Sequence, residues 1–471
     1  MTLDGVTKPP MAPWEQRREA GVLLDARALP SSIEAHLDWL DWLAAAGFRA
    51  WQMLPPAIPD ATGSPYQSIS AFATDPRLTP IEWRAQRPSP EQRAEFVAQE
   101  CDWLNDFALF QALHQSQDRT AWNTWPPALR NRDPSALAQA HSKLSATIDR
   151  QIDEQWAADQ WRQRLRQEAR DRGIALIGDL PIFVALDSAD VWAHRELFKL
   201  TRDSQPEFVA GVPPDYFSAT GQRWGNPHYD WAAMAADEFA WWRSRLARAG
   251  RLFDRVRIDH FRGLEAVWMI DARAETAIEG YWEKVPGHEL LQRIQHDPRM
   301  PELLAEDLGV ITPAVEQLRV DFNLPGMAVL QFSFDHFDDN PHKPHNVGRD
   351  RVAYTGTHDN DTTAGWFTHL DDETRNRVVE RLRRGGFLGE NEAEPAAIAQ
   401  ALWSEALNTQ ASTVIVPLQD LLGLGSEART NKPGTTQGNW SWQPAPRALK
   451  QLDPALLRQR LAASRRTPCD R

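Results

Sequence analysis

The sequence predicts an α/β chain folded as a (β/α)8 TIM barrel with mostly helical insertions between strands. Three observations predict it: eight short apolar runs of β character, helical patterns between them, and polar side chains at the ends of five of those runs. Alternating β and α segments close into a parallel barrel, and such barrels gather their chemistry at the carboxyl ends of the strands.

The first run, 21–25, is short and apolar. Ser31 or Ser32 then caps a helix through Ala46, in which Leu37, Leu40 and Leu43 keep helical spacing and which Gly47 closes. A second run, 48–54, stops at Pro55 and Pro56 and completes a β-α-β unit. The polar loop after it, 63–68, contains Tyr66 and lies where barrel enzymes keep ligand-binding groups. Residues 76–172 change character, being rich in Ala, Gln, Glu, Arg and Trp and broken by Pro88, Pro90, Pro126, Pro127 and Pro134. They predict a helical insertion subdomain within the barrel, whose charge runs, such as 162–172, form solvated helix faces.

A third run, 173–184, carries Asp179 at its exit, and the others are 252–258, 302–309, 327–334, 351–359 and 412–418. Asp259, Glu306, Asp359 and Gln419 with Asp420 stand at further exits. Residues 185–250 and 264–300 are further insertions near the active site, the first holding a proline-stiffened loop with Tyr216 and Phe217. One catalytic barrel therefore accounts for 1–471.

Composition narrows the function. A chain of 471 residues that is 42% hydrophobic can bury a large core, and no run approaches the length of a membrane span. Residues 1–15 hold no apolar stretch of the kind a secretory signal needs. A net charge of −13 disfavours nucleic acid or an anionic membrane as partner and suits a neutral solute. Cys101 and Cys469 fit no metal spacing, and two unpaired thiols point to a reducing cytoplasm. The 21 tryptophans either fill the core or offer flat platforms to sugars. Trp39, Trp42, Trp241 and Trp242 sit in helical patterns and are expected to pack; Trp224 and Trp268 fit either use.

The densest chemistry lies in 255–263. Side chains alternate along a strand, so Arg255, Arg257 and Asp259 share one face while Val256 and Ile258 take the other. A cation two residues from a carboxylate favours its ionised form, which serves a nucleophile or an ion-pair strut equally. Converging carboxylates admit glycosyl transfer, which needs a carboxylate and a carboxylic acid, or a divalent metal site. Arg257 and Arg262 beside Asp259 disfavour the metal, and only a metal enzyme would be inactivated by EDTA. His336, His342 and His345 resemble a loose metal cluster, but their Asp-, Asn- and Pro-containing segment reads as a solvated loop.

Arg257-Ile-Asp259-His-Phe-Arg-Gly263 resembles the nucleophile motif of the 4-α-glucanotransferases, or amylomaltases, of glycoside hydrolase family 77. Ala305-Glu306-Asp-Leu-Gly-Val-Ile-Thr312 resembles their acid/base motif, and Tyr354-Thr-Gly-Thr-His-Asp359-Asn-Asp-Thr-Thr363 the motif of the third carboxylate. Further matches cover 64–68, 178–184, 212–226 and 431–435, in family order. The resemblance implies a retaining 4-α-glucanotransferase that moves α-1,4-glucan segments between maltooligosaccharides, which serve as donor and acceptor. No metal, organic cofactor or obligate protein partner is implied.

By the same resemblance Asp259 is the nucleophile, Glu306 the acid/base, and Asp359 the group that grips sugar hydroxyls. The residues alone do not choose between Glu306 and Asp307; the resemblance does. Arg257 holds Asp259 ionised, His260 and His358 donate to the sugar, Tyr66 stacks on it, and Asp179 supports the pocket floor. Tyr216 and Phe217 resemble the family's mobile loop on the acceptor side, and Trp224 and Asn431 fall in matched motifs as substrate contacts. The chain departs from the family after its first run, where 28–30 lead straight to the helix. It departs again at Val267-Trp-Met-Ile-Asp271 and at Ile69. The nearest alternative is a retaining α-glucosidase using the same acids; a glucan-binding protein without activity would not need all three.

Overall fold

The computed structural model describes residues 13–214, 218–435 and 437–467. In chain order the strands are β1 (Glu19–Leu23), β2 (Ala50–Gln52), β3 (Ala175–Leu180), β4 (Phe208–Val212), β5 (Gln222–Pro227) and β6 (Arg255–Ile258). They continue as β7 (Ala266–Asp271), β8 (Tyr281–Lys284), β9 (Glu302–Ala305), β10 (Gly326–Val329), β11 (Arg351–Tyr354) and β12 (Thr413–Pro417). Eight of them form one sheet in the order β10-β11-β12-β1-β2-β3-β6-β9, with every pair parallel. The Ala305 amide donates to Pro325 at 2.9 Å just before β10, so the ring nearly closes. Each predicted β run overlaps one of these barrel strands.

The barrel interior is filled. Leu23, Ile177, Leu304, Met327, Val329, Val352, Tyr354 and Ile415 form one buried cluster, as alternate residues of parallel barrel strands do. Gly21 faces it because nothing larger fits: a Cβ there would lie 2.6 Å from the Ala50 carbonyl oxygen. The expected alternation in β6 holds. Val256 and Ile258 pack into the outer core, whereas Arg255 pairs with Glu19 across the amino end and Arg257 with Asp179 near the carboxyl end.

The first helix, Ile33–Ala46, is capped by Ser32, whose hydroxyl accepts from the Ala35 amide at 3.2 Å, and ends at Gly47 with φ 88°. A left-handed residue at that place favours glycine. Between β2 and β3 the chain is helical, with Pro90, Pro127 and Pro134 in the first turns of Pro90–Gln99, Pro127–Arg130 and Pro134–Asp171. Proline fits there because the amide it lacks has no partner inside the helix.

The charge run 162–172 is solvated only in part: the Arg164 and Arg170 side chains are exposed, but the Arg162 end of the run is not. Arg162 is 1% exposed, with its guanidinium 4.9 Å from the Phe253 ring centre, and Arg166 and Arg170 bind Asp254. The C-terminal half of this 38-residue helix packs against the barrel, and stacked aromatic and sulfur surface takes the place of water around Arg162.

The two later insertions contribute an unexpected second sheet, four antiparallel strands in the order β5-β4-β7-β8. The expected loop 211–218 begins inside β4, and Tyr216 and Phe217, like Cys469, lie outside the described residues. Trp39, Trp241 and Trp242 are buried and Trp42 stacks on Trp39, all as packing residues. Among the described residues no helix is long and apolar enough to cross a membrane.

Candidate active site

The site is built on the exit of β6. The Asp259 amide donates to Leu180 at 3.0 Å, which anchors that exit to β3, and His260 then adopts φ 52°. A non-glycine residue in this region is strained, and such strain concentrates where a side chain must be aimed. The turn brings the next amides against the end of β9: His260 donates to Glu306 Oε2 at 2.6 Å, and Phe261 to the Glu306 carbonyl at 3.0 Å. Asp259 and Glu306 are thereby set side by side by backbone.

Arg257 lies below them. Its Nη1 is 2.8 Å from Asp179 Oδ2 and 2.9 Å from Asp259 Oδ1. The Asp179 side chain has no exposed surface and also accepts from the Tyr66 hydroxyl at 2.7 Å, whereas Asp259 keeps 27% of its side chain exposed. One arginine thus joins a buried strut to a carboxylate open to the pocket. Asp359 faces the same space from the exit of β11. Its Oδ1 accepts from Asn431 at 2.6 Å, and His358 Nε2 lies 3.3 Å from its Oδ2.

Burial pushes Asp259 up to about 6; Arg257 opposes this, while Asp179 and Asp359 add to it. Arg257 favours the ionised form of Asp259, but its guanidinium is shared with Asp179. Burial also pushes Glu306 up to about 7, against Arg257 and with Asp259. For Asp359 burial acts in the same direction, but the His358 ring and the Asn431 amide outweigh it and hold the carboxyl below the ordinary range. Asp259 lies within electrostatic reach of both Glu306 and Asp359, and the three carboxyls differ in proton affinity, a separation of the kind that suits acid and base chemistry.

The aromatic wall is also in place. Tyr66 stacks on His358 with centroids 5.2 Å apart and planes at 15°, and Trp440 leans on both. Trp224 meets His260 edge-on at 4.9 Å, whereas Trp268 donates to the Ala277 carbonyl in the loop between β7 and β8. Trp440 and Arg429, which donates to the Asp359 carbonyl at 2.7 Å, were missed. Their one sequence signal is position in the segment that also carries Asn431.

Other acids turn away. Asp307 accepts from the Met327 amide at 2.7 Å and pairs with Arg351, which makes it the seam between β9 and β10. Asp420 is taken up by Thr355 and Thr363, and Gln419 bonds Thr430. His336 contacts Arg377, and His342 accepts from the Val329 amide. Among the described residues no group of His, Cys, Asp and Glu is arranged to hold a metal ion.

An ionisable carboxylate open to the pocket beside a carboxyl that keeps its proton to near neutrality can cleave and remake a glycosidic bond. Known proteins point the same way. A family profile described as 4-alpha-glucanotransferase matches residues 82–447. A 4-alpha-glucanotransferase of Thermus thermophilus is 42% identical, with 96% of this chain and 100% of that protein covered. One of Aquifex aeolicus is 37% identical, covering 90% and 95% respectively. Among solved structures, an amylomaltase from Streptococcus agalactiae in complex with acarbose has a TM-score of 0.89 at 31% identity, covering 96% of this chain and 100% of that one.

Proposed function

The chain belongs to the 4-alpha-glucanotransferase family, and we propose that it is a retaining transferase working through a covalent glucosyl-enzyme on Asp259. The supporting observation is the pairing of Asp259, open to the pocket on Arg257, with Glu306, whose carboxylate is held by the amide of the very next residue. An Asp259 oxygen attacks the anomeric carbon of a bound α-1,4-glucan while Glu306 gives its proton to the departing glycosidic oxygen. The acceptor's 4-hydroxyl then gives its proton to Glu306 and its oxygen displaces Asp259. Two inversions retain the α configuration, and the proton borrowed in the first step is returned in the second. The cycle moves one glucanyl group and requires no metal or cofactor. Asp359 grips hydroxyls of the sugar at the cleavage point, His358 and His260 donate to it, and Tyr66 stacks on its apolar face. Trp224 and Asn431 line this space, while Tyr216 and Phe217 act on the acceptor side.

We also propose that 1–471 forms one catalytic barrel, with 76–172 as a helical subdomain and 185–250 and 264–300 shaping the surroundings of the site. Maltooligosaccharides and α-1,4-glucans are the donors and acceptors, with no nucleic acid, membrane or obligate protein partner. A cytoplasmic setting accords with the exposed free thiol of Cys101. Incubation with maltotriose tests the reading: it should give glucose together with longer oligomers. Glucose without elongation would make the protein a retaining α-glucosidase instead.

A further inference from the structure

Three consecutive residues after Asp259 hold the segment that carries Glu306. His260 donates its amide to the Glu306 carboxylate at 2.6 Å, and Phe261 donates to the Glu306 carbonyl at 3.0 Å. Arg262 reaches further along, and its Nη1 donates to the Val310 carbonyl at 2.6 Å. Between these contacts the loop folds back on itself. The Leu308 amide donates to Glu306 Oε1 at 3.0 Å, and Gly309 turns the chain with φ 81°. Neither Leu308 nor Glu306 can shift without the loop, and the loop's outer end is exposed, with Val310 at 62%.

Arg262 is itself held in an unusual way. It is 8% exposed, and its guanidinium lies 3.8 Å from the ring centre of Trp282 on β8. Trp282 in turn leans on its cross-strand partner Trp268, with centroids 5.2 Å apart. A flat guanidinium stacked on an indole loses less freedom on forming a hydrogen bond than an unsupported one. The second sheet therefore holds one arginine in position, and that arginine pins the far end of the acid/base loop.

We propose that Arg262 is a positioning residue for Glu306, and that Trp282 acts through it, so that the antiparallel sheet sets the aim of the acid/base. This inference rests on the reading of Glu306 as the proton donor. Its signature is selective loss. Transfer from a glucan needs a proton on the leaving oxygen, whereas a fluoride leaving group does not. A misaimed Glu306 should harm the first reaction and spare the second.

The test compares maltotriose transfer with single-turnover fluoride release from α-maltosyl fluoride. Arg262→Ala should lower kcat on maltotriose by about 10²-fold, the scale of a 1 Å misplacement, with fluoride release changed by less than about threefold. Arg262→Lys should recover part of the rate, since it keeps a donor for Val310 but not the flat stack. Trp282→Ala lies at the surface and bears on the question whether or not Arg262→Ala folds. It should lose about tenfold in the same selective way, and the double variant should be no worse than Arg262→Ala, as expected of residues acting in series. Unchanged transfer in Arg262→Ala, or an equal fall in transfer and fluoride release, overturns the inference. Glu306→Gln is the control. If it still transfers normally, the acid/base reading fails. If it loses transfer and keeps fluoride release while Arg262→Ala transfers normally, only the inference about Arg262 fails.

Discussion

Arg257 donates from a single nitrogen to both carboxylate oxygens of Asp179, at 2.8 Å each. Asp179 has no exposed side-chain surface, so that guanidinium and the Tyr66 hydroxyl take the place of water around it. Arg257→Ala would leave a buried charge unpaired, a change that costs about 3–5 kcal/mol. Thermal unfolding should show a fall in Tm of several degrees along with loss of transfer; an unaltered Tm would contradict this role.

Asp179 competes with Asp259 for the same cation. The Asp179 charge also disfavours ionisation of Asp259, and Asp179→Asn removes that repulsion while leaving all of Arg257 to Asp259. The pKa of Asp259 should fall, and the acidic limb of kcat/KM should move to lower pH than in the parent. A limb that stays in place or moves up would show that Asp179 does not act on Asp259 electrostatically.

The proposed mechanism needs Asp259 ionised and Glu306 protonated. With burial raising them to about 6 and about 7, kcat/KM should fall below the first value and above the second, the two limbs belonging to the pair jointly. Stability has its own sign. The folded pKa of Glu306 exceeds its unfolded one, so the native state binds the extra proton, and the stability this contributes is lost as pH rises through about 7. Glu306→Gln keeps a neutral side chain at every pH. Its Tm should exceed the parent's above pH 7, and the gap should close toward pH 5; a constant gap would sink this account.

Asp307 and Glu306 are neighbours with opposite expected phenotypes. Asp307 is buried among Arg351, Arg319 and the Met327 amide. Asp307→Asn leaves those arginines without their anion and should destabilise by about 3–5 kcal/mol in denaturant titration. At a temperature where it stays folded, its kcat should be within about threefold of the parent, because the seam lies outside the reacting groups. Glu306→Gln should do the reverse.

The barrel and the β6 exit were legible because strand periodicity is local: Arg257 and Asp259 share a face whatever surrounds them. The choice between Glu306 and Asp307 was not local. It depends on β10 presenting the Met327 amide to one of the two, which no spacing within 302–309 reveals. The second sheet was missed because β5, Gln222–Pro227, offers one large apolar residue and ends in a proline, so it carries no alternation to detect. Arg162 was misassigned because helical charge usually faces water, and its burial depends on Phe253 and Met53 from distant strand ends. Trp440 became part of the site only when the chain after β12 closed over Tyr66 and His358.

The central claim is the covalent glucosyl-enzyme on Asp259. Glu306→Gln can be loaded with α-maltosyl fluoride, quenched in acid, digested and weighed peptide by peptide. The account predicts a maltosyl increment on the peptide containing Asp259, absent when Asp259→Asn is added. An increment on another peptide, or none while fluoride is released, would contradict it.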